Sequence, residues 1–176
     1  YSGAHDRTLI CQPSLSALNE RISGFENDIA LMTLAPELKG SCEVIDRLQK
    51  LNIVASLGHS SADFDSAMKA FNNGVSMITH TFNAMKGLHH RAIGPIGAAI
   101  RRDDVFLGLI ADGFHVHPDM IRLLKRIAPK QIVLVSDAVS AYGLGDGLFD
   151  WDNRLITVEK GLCRLANQTI AGSTLP

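Results

Sequence analysis

Five apolar runs rich in β-branched residues recur along the chain, at 29–33, 53–57, 75–79, 105–110 and 132–136, spaced about 22 to 30 residues apart. They are near-continuous rather than alternating, which predicts strands buried on both faces of a parallel sheet. Helical periodicity fills the gaps. Ser41 is placed to cap a helix carrying Val44, Leu48 and Leu51 on one face, and Ser61 to cap another carrying Phe64, Ala67, Met68 and Phe71, stopped by Gly74. Pro118 stands as a first helical residue before Met120, Ile121, Leu124 and Ile127, and a shorter helix is predicted over 95–102. The repeat is a βα unit.

Doubly wound sheets and βα barrels share this rhythm. No GxGxxG turn follows any predicted strand, whereas polar or ionisable residues stand just past the carboxyl end of all five: Glu37, His59, His80, Asp112 with His115, and Asp137. In a (β/α)8 barrel those ends share the face that carries the active site. The expected fold is therefore α/β, a partial (β/α)8 TIM-type barrel. A complete barrel takes roughly 250 residues, and residues 1–28 read as loop plus a short helix over 13–22 rather than as a strand. The runs are accordingly assigned to strands 4–8, with the first three strands expected upstream. Residues 1–140 form the barrel portion. Residues 141–176 form a second unit: a flexible loop at "AYGLGDG", then a hairpin of 155–158 and 163–165 joined across 159–161.

Composition narrows the partners more than the fold. The 176 residues are 46% hydrophobic and 20% charged, enough for one domain with a core. Seventeen basic against 18 acidic side chains give neither nucleic acid nor an anionic membrane a reason to bind. No apolar run approaches the roughly 20 residues of a membrane span. Three scattered cysteines, Cys11, Cys42 and Cys163, read as reduced thiols of a cytoplasmic protein.

His59 and His80 lie 21 residues apart, one βα unit, each just beyond its own strand. Neighbouring strands are about 4.8 Å apart, so two imidazoles at equivalent ends can converge on one divalent ion; otherwise each makes a loop hydrogen bond. Asp137, ending "QIVLVSD", can be a ligand, a general base or a loop cap. In "ADGFHVHP", Asp112 and His115 stand near the strand end and His117 beside a helix start. The basic stretch His89, His90 and Arg91 can hold a phosphate or be solvated surface. Glu37, in "TLAPE", is a ligand candidate or a surface charge. No GxSxG supports a serine nucleophile.

Taken in order, "GHSSA", "THTFNAM", "IADGFHVHP" and "LVSDA" resemble the N-acetylglucosamine-6-phosphate deacetylases, of the metal-dependent amidohydrolase superfamily, from about Ala4 to the chain's end. The resemblance implies that His59 and His80 are metal ligands and Asp137 the catalytic residue. It implies substrate contacts at Ala4, His5, Asn83, Ala84, Asp112, His115, Thr169, Ile170 and Ala171. Arg91 is implied to bind the sugar phosphate in a neighbouring subunit, hence a homodimer. The cofactor implied is one or two divalent ions, zinc first, with iron, cobalt or manganese as alternatives. The reaction implied is deacetylation of N-acetylglucosamine 6-phosphate, a hydrolysis of a linear amide in amino-sugar metabolism. The family's acidic metal ligand is expected just before Tyr1, and most of a small β-sandwich domain is expected outside the chain. The alternatives are another metal-dependent amidohydrolase and a non-catalytic phosphosugar-binding relative.

Overall fold

A computed structural model of the chain describes residues 1–175. Each of the five apolar runs supplies one strand: β1 Leu31–Leu34, β2 Val54–Leu57, β3 Val75–Ile78, β4 Phe106–Leu109 and β5 Ile132–Leu134. They form one parallel sheet in chain order. Helices α2 Ser41–Lys50, α3 Phe64–Asn72, α4 Gly94–Ile100 and α5 Pro118–Ile127 connect successive strands, and α1 Leu15–Ile22 precedes them. The chain is thus α/β with a five-stranded parallel sheet. Strands are a residue or two shorter than the apolar runs: β3, β4 and β5 stop before the last residues of theirs, whereas β1 and β2 begin one or two residues late.

The core lies between the helices and one sheet face. Val44, Ile45 and Leu48 of α2 and Ala67, Ala70 and Phe71 of α3 meet Ala55, Leu57, Ile78, Leu107 and Leu109 of the strands. Each fully buried Leu or Ile contributes about 1.5–3 kcal/mol. The opposite face carries hydroxyls near its carboxyl end: the Thr79 oxygen lies 2.8 Å from that of Thr33 and 2.6 Å from that of Ser56, across three strands. A Cβ at Gly58 would stand 2.6 Å from Thr33 Cγ2 and 2.8 Å from Thr79 Cβ, so the turn after β2 needs glycine.

Burial on both faces holds for the middle of the sheet and fails at its edges. β1 and β5 have one neighbour each among the described residues, and Leu31 and Leu134 are exposed. Two predicted caps also move. Ser41 is the first helical residue of α2 and its hydroxyl donates to the Pro36 carbonyl, while Gly40, at φ 89°, takes the cap position. Asp63, not Ser61, caps α3, accepting from the Ser66 amide at 2.9 Å; Ser61 is engaged elsewhere, by Glu37.

The predicted hairpin is β7 Arg154–Glu159 with β8 Leu162–Leu165, turned through Lys160 and Gly161, both left-handed. A third strand that the sequence reading missed, β6 Gly147–Trp151, pairs antiparallel with β7. It takes up the end of the stretch read as flexible loop. Ile156, Val158 and Cys163 pack with Val139, Ala141 and Ala171 in this sheet's own small core. The second predicted unit runs to residue 176, which lies outside the described residues.

Candidate active site

The carboxyl ends of the five strands open onto one cleft of about 1140 Å³. His59 and His80 stand two residues past β2 and β3, Asp137 three past β5, and all three line it. All three also take a left-handed backbone, at φ 48°, 30° and 52°. That conformation costs an L-residue roughly 1–2 kcal/mol, and such strain concentrates at functional sites. Here it turns each side chain off its strand into the cleft.

The two imidazoles face each other, with Nε2 of His59 2.9 Å from Nε2 of His80 and ring centroids 4.8 Å apart. His59 Nδ1–H donates to the Tyr1 carbonyl at 3.1 Å, so its Nε2 presents a lone pair to His80. Burial first, then the neighbouring His80 and His5 rings, push the His59 pKa down to about 4. Burial likewise lowers His80, against the opposing pull of Asp137. Both rings are therefore neutral near pH 7, the form that binds metals. The buried Nδ1 of His80 has no protein partner among the described residues. The pair fits a divalent cation: two neutral nitrogens at this separation can be spanned by two bonds of ~2.0–2.1 Å to one ion. They are a pair only, since no group of three His, Cys, Asp or Glu side chains among the described residues could hold a metal.

Asp137 is exposed and held by its main chain. Its carbonyl accepts from the Ser173 amide at 2.8 Å, and the Val139 amide donates to the Ser173 carbonyl at 3.1 Å. A Cβ at Gly172 would come within 2.6 Å of that Asp137 oxygen, so "TIAGS" can brace the turn only with glycine there. Thr169 and Ile170 of the same segment line the cleft, whereas Ala171 is buried behind it.

Ala4, His5, Asn83, Ala84 and His115 also line the cleft. The His5 ring lies 4.6 Å from that of His59, centroid to centroid. Asp112 does not line it. Its carboxylate is buried, 2.7 Å from His115 Nδ1, and also accepts from the amides of Phe114 and His115. A carboxylate oxygen only accepts, so Nδ1 of His115 carries the hydrogen of this contact and Nε2 is the nitrogen left for the cleft. Arg91 is exposed on the loop between β3 and α4, its amide donating to His89 Nδ1 at 3.2 Å, and is not among the cleft residues. His117 caps α5, as its place before Pro118 suggests.

Sequence reasoning left Glu37 as a ligand candidate or a surface charge. It is half-buried at the cleft wall, and its carboxylate accepts from Ser60 Oγ at 2.6 Å, the Ser61 amide at 2.6 Å and Ser61 Oγ at 3.0 Å. Burial pushes its pKa up, and these hydrogen bonds outweigh that and bring it below the ordinary value. Sequence reasoning missed Trp151, which lines the cleft from β6. The Arg154 guanidinium sits over its ring, 4.9 Å from the centroid, and donates to the Ala4 carbonyl at 2.8 Å.

No family model matches the chain. The N-acetylgalactosamine-6-phosphate deacetylase of Escherichia coli O157:H7 is 36% identical over 98% of this chain and 46% of that protein. The N-acetylglucosamine-6-phosphate deacetylase of Vibrio furnissii is 34% identical over 98% of this chain and 43% of its own length. The solved N-acetylglucosamine-6-phosphate deacetylase of Thermotoga maritima matches with a TM-score of 0.89 at 42% identity, covering 98% of this chain and 47% of that one. The chain is a homologue of the N-acetylglucosamine-6-phosphate deacetylases. It spans under half the length of the curated relatives just described. An Asp-to-Ala mutant of the deacetylase from Mycobacterium smegmatis, solved with N-acetyl-D-glucosamine-6-phosphate, superposes with a TM-score of 0.93 at 33% identity, over 98% of this chain and 46% of that one. The deacetylase likeness covers 98% of the chain.

Proposed function

We propose that this chain carries the cation-binding and proton-transferring part of a deacetylase that hydrolyses the linear amide of an N-acetyl amino-sugar 6-phosphate. N-Acetylglucosamine 6-phosphate is the preferred substrate, and acetate and glucosamine 6-phosphate are the products. The observation that carries the reading is the His59–His80 pair: two neutral rings delivered by adjacent parallel strands, with lone-pair geometry suited to one ion, in a cleft that also holds Asp137. Homology to the deacetylases supports it independently.

His59 and His80 would hold the divalent ion, zinc first. A third, acidic ligand is assigned to a segment before Tyr1. When bound, such an ion supplies Lewis acidity, which makes a hydroxide nucleophile available near neutral pH and polarises the amide carbonyl. The rest falls to this chain's own groups. Asp137 accepts the proton of the attacking water, and the same carboxyl then delivers it to the amine as the C–N bond breaks. His5 donates to the oxyanion that develops on the carbonyl oxygen. His115, with its Nδ1 hydrogen held by Asp112, meets a sugar hydroxyl at Nε2. Asn83, Ala84, Thr169 and Ile170 line the path of the sugar and orient it.

In this reading the parallel sheet is strands 4–8 of a (β/α)8 barrel, over residues 1–140, and residues 141–176 lead into a small β-sandwich domain. The exposed apolar edges at Leu31 and Leu134 support that assignment. Arg91, exposed and away from its own cleft, is assigned to the substrate phosphate of a neighbouring subunit in a homodimer. A cytoplasmic location is proposed on the three free cysteines; among the described residues no helix is long and apolar enough to cross a membrane.

In the full-length chain, we expect release of acetate from N-acetylglucosamine 6-phosphate and little from N-acetylglucosamine lacking the phosphate. Asp137→Asn should leave far-ultraviolet circular dichroism unchanged and cut turnover at least about 10³-fold, in proportion to the loss of its proton transfer. Turnover by that variant close to the unsubstituted rate would reject the assignment. N-Acetylgalactosamine 6-phosphate belongs in the same assay, because one of the relatives is named for that epimer.

A further inference from the structure

We propose that Glu37 is a positioning residue for His59: its carboxylate clamps the two residues that follow His59 and so holds that ring at the height of His80. The inference rests on the cation reading above and adds to it a carboxylate at the cleft wall whose two oxygens are both engaged by protein donors.

Three hydrogen bonds from consecutive residues, Ser60 and Ser61, converge on the Glu37 carboxylate, and both oxygens are used. Ser60 is fully buried and anchored on two further sides. Its amide donates to the Ala84 carbonyl at 3.1 Å, and its hydroxyl oxygen accepts from the Ala62 amide at 3.0 Å. Glu37 follows β1, Ser60 follows β2 and Ala84 follows β3. The clamp therefore ties three consecutive strand ends together, and His80 and His59 both lie within the tied segment. His59 needs such a tie. Its φ of 48° is a conformation that an L-residue keeps only when its surroundings over-determine it. Hydrogen bonds made by the residues beside a ligand set the ligand's direction as its own second nitrogen does. A neutral acceptor would serve one or two of these donors. A carboxylate presents acceptors at both oxygens and offers no hydrogen to face the Ser61 amide.

The test uses the full-length chain, with zinc alone as the probe, titrated in competition with a chromophoric chelator. The visible spectrum of the cobalt-loaded protein is recorded in parallel. Glu37→Ala should weaken zinc binding about 10-fold or more and change the cobalt spectrum, with circular dichroism unaltered. Glu37→Gln, isosteric but short of one acceptor, should show a smaller loss and also an altered spectrum. Zinc affinity within about twofold of the unsubstituted protein and an unchanged cobalt spectrum would overturn the role. A lowered melting temperature with unchanged affinity would overturn it too, since it assigns Glu37 to stability alone. If Glu37→Ala does not fold, Glu37→Gln decides by the same two readings. His59→Ala separates this proposal from the one beneath it. Equal zinc affinity in His59→Ala and the unsubstituted protein rejects the cation site itself. Loss in His59→Ala with none in the Glu37 variants rejects only the clamp.

Discussion

At Asp112 the carboxylate matters through what it holds. Burial raises its pKa, but the amides of His115 and Phe114 and the His115 ring outweigh burial and bring it below the ordinary aspartate value. A carboxyl depressed in the folded state stabilises the fold above its unfolded pKa, and that contribution is lost as pH falls through the folded value. Stability drawn from this loop is thus complete at neutral pH and decays below the ordinary aspartate range. Asp112→Asn keeps an acceptor for the amides but removes the titration. Its denaturation midpoint should differ less between pH 7 and pH 3 than that of the unsubstituted protein, as urea melts at the two pH values would show. His115 and Asp112 were legible as a local pair from "ADGFHVHP". That one faces the cleft while the other is buried behind it was not, because spacing in a loop does not fix which side chain turns inward. Glu37 illustrates the same limit: a carboxylate after a Pro turn looks solvated until the neighbouring strand's loop folds over it.

Among the elements, the βα repeat was legible because each strand is a short apolar run and each helix a periodic one. The end signals were less so. Ser41 and Ser61 both have the residue type of a cap, but Ser41 spends its hydroxyl on the Pro36 carbonyl of the preceding turn and Ser61 on Glu37 across the sheet. Asp63 takes the role at α3. Asp63→Ala should therefore destabilise the protein by about 1 kcal/mol, and Asp63→Asn by much less. A shift in the urea midpoint at constant slope would report it; Ser61→Ala, by contrast, acts through Glu37 and not through the helix. β6 escaped notice since it starts on Gly147 and follows a glycine-rich stretch, so that its strand character comes from pairing with β7 rather than from its own sequence.

Across the whole molecule, the antiparallel sheet meets the start of the chain through Arg154, and the parallel sheet meets it through the contact of His59 with Tyr1. Arg154 of β7 stacks on Trp151 of β6, donates to the Ala4 carbonyl and pairs with Asp152 at 2.9 Å. Ala4 directly precedes His5. Removing the guanidinium forfeits a stacking contact of about 0.5–1 kcal/mol and frees the loop that carries His5. Trp151 is the only tryptophan among these 176 residues, so the emission of this chain reports on the junction. Arg154→Ala should make that emission easier to quench with acrylamide while circular dichroism holds. Such long-range ties have no sequence signature, because 150 residues separate the partners.

The left-handed turns at His59, His80 and Asp137 set durability against chemistry. A glycine at any of the three would relax the main chain and let it fold with less resistance, yet would erase the group that the cleft exists to display. Drift toward a sturdier scaffold is blocked at these three positions, and a hardier version of this protein must find its reinforcement elsewhere.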